Sequence, residues 1–344
     1  MPLLPSLAGL TAGEAALMLA PLPRFRAAQI TGWIKKGAAS FADMKNLPTP
    51  LREDLARRFS VYGSTVSAAH SDPDGTIKLQ VTLGDGLKIE AVLLVDAAGR
   101  KTACLSTQAG CAMACAFCKT GSLPFRRNLT SGEIIEQFFH LRRAAGEHLS
   151  NIVIMGMGEP LLNLDELVKA LRFFTAREGC GLSPRRITVS TSGIARGIRA
   201  LAGEALHVRL AFSLAAADES LRVRLMPATK QNPLAEVKDA LHYYQQQEKH
   251  RITLELVLLG GVNTRVEDAA ALAGFVDGLD AAVNLIPWNP VPGMCLDGAP
   301  LREPEAAEIL RFREELEKRG IAVTRRRRRG RGVNGACGQL GVTE

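Results

Sequence analysis

Four of the seven cysteines, Cys104, Cys111, Cys115 and Cys118, lie within fifteen residues of one another, while Cys180, Cys295 and Cys337 are scattered. The odd count and the clustering argue against a secreted disulfide framework and point to metal or thiol chemistry. In Cys111-Ala-Met-Ala-Cys115-Ala-Phe-Cys118 the spacings are four and three. A loop of that length can turn three thiolates toward one point, and thiolates are the ligands that iron–sulfur clusters use. Three protein ligands on a four-iron cube leave one iron open, which a small molecule with an amine and a carboxylate can chelate. Phe117 offers an aromatic face beside the last ligand. A structural zinc ion competes with this reading, but it takes four ligands, commonly as two short cysteine pairs. No second pair exists, and Cys180 stands alone in Glu-Gly-Cys-Gly.

The elements that must position this loop follow from pattern. At 344 residues, with 47% hydrophobic and 23% charged residues, the chain can bury a core and suggests about two domains. No stretch approaches the roughly 18 apolar residues of a membrane span, and the proline-broken start lacks a basic region before its apolar one. A cytoplasmic location is therefore expected. From Arg24 to about Phe59 the chain reads as short helices. TIKLQVTL and LKIEAVLLV, joined by Gly-Asp-Gly, read as a hairpin. From about residue 100, strand candidates TACLST, NIVIMGMG, RRITVSTSG, HVRLAFSL, RITLELVLL, AAVNLIPW and GIAVTRR alternate with helical segments, one opening on the capping box Thr130-Ser131-Gly132-Glu133. Repeated βα units imply parallel strands, and about six units are too few for a closed eight-stranded barrel. The expected fold is α/β: a partial (βα)6 barrel with an N-terminal helical accessory domain and a small β hairpin. Its expected boundaries are 1–65 for the helical domain, 66–96 for the β linker, 97–330 for the barrel and 331–344 for a C-terminal loop. Chemistry in such folds sits in loops beyond the C-terminal strand ends, where every motif below falls.

The CxxxCxxC spacing, the aromatic before its third cysteine and a Gly-Glu-Pro one βα unit later resemble the radical S-adenosylmethionine (SAM) superfamily. FRAAQITGWIKKG, LSTQAGCAMACAFCKTG, RNLTSGEI, MGMGEPLLN, VSTSGI, RLMPATK, VNLIPWNP and ACGQL narrow this to a resemblance to the radical SAM RNA (adenine) methyltransferases, with matches from about Phe25 to Leu340. That family comprises the adenine carbon-2 methyltransferase of ribosomal and transfer RNA and the chloramphenicol–florfenicol resistance methyltransferase. The resemblance implies one [4Fe-4S] cluster on Cys111, Cys115 and Cys118, and two SAM molecules per turnover. It places the SAM amino group at Gly158 and Glu159, with further SAM contacts at Ser190, Ser213, Leu214, Ala215 and Asn289. Alone, a glycine turn after a strand is common in any βα fold, and short polar residues at strand ends commonly cap them. The family has His at the position of Ala215, so a side-chain contact from there is lost.

The resemblance also implies a relay. Cys337 carries a methyl group from one SAM, and a deoxyadenosyl radical from a second SAM activates it for addition to the adenine ring. Cys104 then attacks the Cys337 sulfur and forms a transient disulfide, while Glu90 accepts the proton of the adduct. By periodicity alone Cys104 is a core cysteine on a strand and Glu90 an ordinary strand residue. Cys180 and Cys295 match no functional position and read as structural.

The net charge of +8, the Arg325–Arg329 run with Arg331, and Lys119, Arg126 and Arg127 fit a polyanionic partner. The expected partners are ribosomal RNA, transfer RNA and a low-potential electron donor, with the protein monomeric and off the membrane. The arginine run departs from the family, which has acidic residues before the ACGQL loop. Two readings stand beside carbon-2 methylation: carbon-8 methylation that confers ribosomal antibiotic resistance, and a zinc-containing RNA-binding protein without catalysis.

Overall fold

The computed structural model describes residues 4–146, 148–325 and 329–341. Its centre is one ten-stranded sheet whose spatial order follows the chain: β1 (Thr65–Ser71), β2 (Ile77–Thr82), β3 (Lys88–Val95), β4 (Lys101–Cys104), β5 (Asn151–Ile154), β6 (Ile187–Thr191), β7 (Arg209–Ser213), β8 (Ile252–Leu258), β9 (Ala281–Pro287) and β10 (Val323–Arg325). The strands from β4 to β10 pair in parallel, and β1 to β4 pair antiparallel. All seven expected barrel strands are present, and the six crossovers between them carry helices, as a partial (βα)6 barrel requires. These are α4 (Ser131–Ala145), α5 (Leu164–Thr175), α6 (Ala195–Gly203), α7 (Glu219–Leu225) with α8 (Leu234–Glu248), α9 (Val266–Val276) and α10 (Ala306–Lys318). The capping box opens α4 as expected: the Thr130 hydroxyl accepts from Glu133 N–H, and Glu133 Oε2 accepts from Thr130 N–H.

Two features go beyond the sequence reading. The hairpin gains a third strand, β1, and β3 pairs with β4, so this antiparallel extension continues the barrel sheet. The N-terminal helices α1 (Ala12–Met18), α2 (Arg24–Lys35) and α3 (Thr49–Arg58) share one apolar core with the barrel. In α2 the buried residues Ala27, Ile30, Thr31 and Ile34 fall at helical spacing on one face. A second, smaller apolar cluster, including Leu225, Met226 and Trp288, lies under Cys115, Ala116 and Phe117. Among the described residues no helix is long and apolar enough to cross a membrane.

Candidate active site

The cysteine loop leaves and re-enters the fold through a two-residue antiparallel ladder, Gln108–Ala109 with Arg127–Asn128. Inside that clasp Ala116 N–H donates to Leu225 O at 2.9 Å, and Trp288 Nε1–H donates to Phe117 O at 2.8 Å. The loop is thus pinned to α7 and to the loop after β9. Burial pushes the Cys111 thiol up to about 12 and raises those of Cys115 and Cys118. Buried thiols become thiolates when a metal's positive charge replaces the lost water. Among the described residues no three His, Cys, Asp or Glu side chains stand close enough to share one metal ion. A cube places each thiolate on its own iron, so three cysteines on one loop facing one cavity fit such a cluster.

That cavity, of about 160 Å³, is lined by all three cysteines and by residues from successive strand ends, among them Gly158, Glu159, Ser190 and Ser213. Gly158 sits at φ +100°, where a Cβ would stand 2.5 Å from Gln108 Cβ. Glu159 is fully buried, and its carboxylate accepts from Ser192 N–H (2.7 Å), Ser192 Oγ–H (2.6 Å) and Leu161 N–H (3.1 Å). Burial raises its pKa against those donors. The Ser190 and Ser213 hydroxyls lie 3.3 Å apart on adjacent strands. A smaller adjoining cavity of about 70 Å³ is lined by Ala215 (φ +58°), Glu255, Trp288 and Asn289. There Asn289 donates from Nδ2 to Cys337 O at 3.0 Å, and its buried Oδ1 has no hydrogen-bond partner. An orphaned amide acceptor beside hydroxyls and a glycine turn suits a ligand carrying amino groups, as SAM does.

Cys337 lines both of these cavities and also a third, larger one of about 620 Å³. Cys104 also lines that third cavity, together with Arg100, Thr102 and Arg329. The loop carrying Cys337 rests directly on the cysteine loop. Lys119 N–H donates to Gly338 O at 2.8 Å and Thr120 Oγ1–H to Leu340 O at 2.5 Å. One exposed thiol therefore stands on the wall shared by the cluster cavity and the cavity of a second thiol.

Residues 105–273 match the model of the Radical SAM superfamily, and residues 22–61 match that of the Ribosomal RNA large subunit methyltransferase N-terminal domain. A probable dual-specificity RNA methyltransferase RlmN of Treponema pallidum is 47% identical over 338 residues, 98% of each chain. This chain belongs to the RlmN family of radical SAM RNA methyltransferases. The probable RlmN of Thermus thermophilus is 44% identical, covering 92% of this chain and 89% of its own. A crystallised radical SAM methyltransferase from Sphaerobacter thermophilus superposes with a TM-score of 0.91 at 40% identity, over 98% of this chain and 99% of that one.

Within this RlmN-family frame, two expected site residues lie off the cavities. Leu214 is wholly buried in the core, its carbonyl held by the Arg222 guanidinium. Glu90 lines none of the three cavities: its carboxylate pairs with Lys78 at 2.9 Å and accepts from Gly341 N–H at 2.7 Å. Arg127 is held by Asp85 and Glu133, so its charge is balanced locally. Arg326, Arg327 and Arg328 lie outside the described residues.

Four contributors escaped the sequence reading. Gln108 accepts from Glu159 N–H (2.9 Å) and Ser192 clamps the Glu159 carboxylate. Buried Arg222, lowered to about 10 by desolvation, ties the carbonyls of Ser192 and Leu214 at two strand ends. Glu255, bonded by Asn284 at 2.8 Å, lines two cavities. Only Glu255 carried a signal, as a carboxylate in the apolar run RITLELVLL.

Proposed function

We propose that this RNA methyltransferase methylates carbon 2 of an adenine in 23S ribosomal RNA and in transfer RNA, through a methyl group carried on Cys337 and released by Cys104. The placement of Cys337 on the wall between the cluster cavity and the Cys104 cavity carries this reading. When bound on Cys111, Cys115 and Cys118, the [4Fe-4S] cluster supplies the electron that splits SAM, and a low-potential donor supplies it in turn. Gly158, Ser190, Ser213 and Asn289 hold SAM, and the buried carboxylate of Glu159 shapes the turn that meets its amino group. Cys337 takes the methyl group facing the smaller cavities and presents it in the larger one, where Arg329 meets RNA phosphate, Arg100 being paired with Asp96. Attack by the Cys104 thiolate on the Cys337 sulfur forms a Cys104–Cys337 disulfide as the carbon–sulfur bond breaks. The electron pair passes to the former methyl carbon, which takes a proton and leaves as the methyl of the freed base, and a reductant then reopens the disulfide. For Glu90 to take the adduct's proton, Gly341 must first release its carboxylate. The accessory domain at 1–65 presents RNA to the barrel, and the loop at 331–344 delivers Cys337.

Replacing Cys104 with Ala tests the relay. The variant should accumulate protein covalently joined to RNA through Cys337, seen as a shifted band that nuclease removes. Recovery of only unattached RNA would remove Cys104 from the release step.

A further inference from the structure

The turn between β1 and β2 reads Asp72-Pro73-Asp74-Gly75, and each aspartate divides its carboxylate between two tasks. Asp72 Oδ1 accepts from Asp74 N–H at 3.2 Å and Asp74 Oδ1 from Thr76 N–H at 2.9 Å, which shapes the turn itself. The other oxygens reach the far end of the chain. Asp74 Oδ2 accepts from Gly330 N–H at 2.8 Å, and Asp72 Oδ2 from Gly332 N–H at 2.6 Å. The approach is close: a Cβ on Gly330 would meet Thr76 Cγ2 at 2.8 Å. Gly335 N–H then bonds back to Gly330 O at 2.9 Å, immediately before Ala336 and Cys337. At its other end the loop is held by Gly341 N–H on Glu90.

We propose that Asp72 and Asp74 are positioning residues that anchor the near end of the Cys337 loop and confine its swing to the adjoining cavities. The purpose of this anchor rests on the carrier reading of Cys337; its geometry does not. A hairpin turn needs one oxygen from each aspartate, and the second oxygen of each goes to the loop in a charge-assisted hydrogen bond. A thiol that serves two reaction partners from one wall must be held at its hinge, because misplacement by about 1 Å can cost a hundredfold in rate. Residues 335–340 then form the part that swings once the bonds of Asn289, Lys119 and Thr120 to its carbonyls release, and the antiparallel extension of the barrel sheet is its fixed mount.

The double variant Asp72→Asn with Asp74→Asn isolates the anchor. Asn keeps one oxygen for the turn but sets an amide N–H₂ against each glycine N–H. In the cluster-loaded full chain, the alkylation rate of Cys337 by N-ethylmaleimide is followed by peptide mass analysis, well below the melting temperature. We expect it to rise at least about tenfold, since two charge-assisted hydrogen bonds are weakened and about 1.4 kcal/mol of lost anchoring already gives that factor. RNA methylation at saturating substrates should slow, with SAM affinity unchanged. If the aspartates only shape the hairpin, the melting temperature falls while Cys337 keeps its wild-type alkylation rate, and the proposal is overturned. Should the double variant fail to fold, either single variant must still exceed the wild-type rate, and a wild-type rate in both overturns it. No methyl mass on Cys337 in turning-over wild type would instead sink the carrier reading and leave the alkylation comparison standing.

Discussion

Gly158 concentrates the demands of the site on one backbone position. It combines φ +100° with a Gln108 side chain where a Cβ would go, and it delivers Glu159 into its Ser192 clamp. Gly158→Ala should therefore cost about 2 kcal/mol or more of stability and weaken SAM binding. Denaturant melts and SAM titration read both; a variant with wild-type values for each would show that the turn tolerates a side chain. At this scale the sequence is legible where residue type is itself the chemistry. The cysteine triplet was readable because three thiols at those spacings have few other uses, whereas Cys104, Cys337 and the polar strand-end residues were named only through the family resemblance, since a core cysteine or a strand cap reads the same by periodicity. Gln108, Ser192 and Arg222 were not, since each acts on a carbonyl, amide or carboxylate that only the folded sheet brings beside it. Leu214 shows the converse: the residue just past the end of β7, beside the cavity residue Ser213, is wholly buried in the core.

Helix α4 joins the N-terminal helices to the barrel through a buried polar network. Glu136 accepts from Ser6 Oγ–H, Gly63 N–H and Ser64 N–H, and Ser64 Oγ also meets His140 Nε2 at 3.0 Å. Burial, with the Arg143 cation adding to it, holds the His140 imidazole down to about 4, under the Tyr62 ring. An unfolded histidine titrates near 6.5, so between about pH 6.5 and 4 the unfolded chain binds more protons and this site loses stability as pH falls. Burial raises the Glu136 carboxyl, which acts in the opposite sense, so wild type must be compared with a variant at each pH. Relative to His140→Gln, wild type should lose roughly 1.4 kcal/mol per pH unit through that window. A pH-independent difference would mean that His140 takes up its proton alike in the folded and unfolded chain. The sequence announced the elements with strong periodicity, including the α4 capping box and all seven parallel strands. It concealed β1, because that edge strand is exposed on nearly every residue and so carries no apolar alternation. The pairing of β3 with β4 was equally silent, since register between distant segments leaves no local mark.

Over the whole molecule, charge and topology converge on one end of the barrel. The net charge of +8 and the cavity shared by Cys104, Cys337 and Arg329 suit an RNA strand entering beside the C-terminal strand ends. Converting Arg325–Arg329 to Gln should weaken RNA binding and flatten its salt dependence by about 0.7 to 0.9 for each phosphate no longer neutralised. An unchanged slope in filter binding would take that run out of the interface. The order of motifs along the chain was enough to place the cysteine loop, the Gly158 turn and the Cys337 loop at one end of a barrel. The seating of the Cys337 loop was not legible, because beside Asn289 its partners include Asp72, Asp74, Glu90 and Thr120, which lie more than two hundred residues away. The central claim, methylation of adenine carbon 2, is tested most directly on the product. Unmodified ribosomal RNA is incubated anaerobically with cluster-loaded protein, SAM and a reductant, digested to nucleosides, and compared by mass and retention with 2-methyl- and 8-methyladenosine. The expected product is 2-methyladenosine; 8-methyladenosine, or no methylated adenosine from fully loaded protein, would contradict carbon-2 methylation.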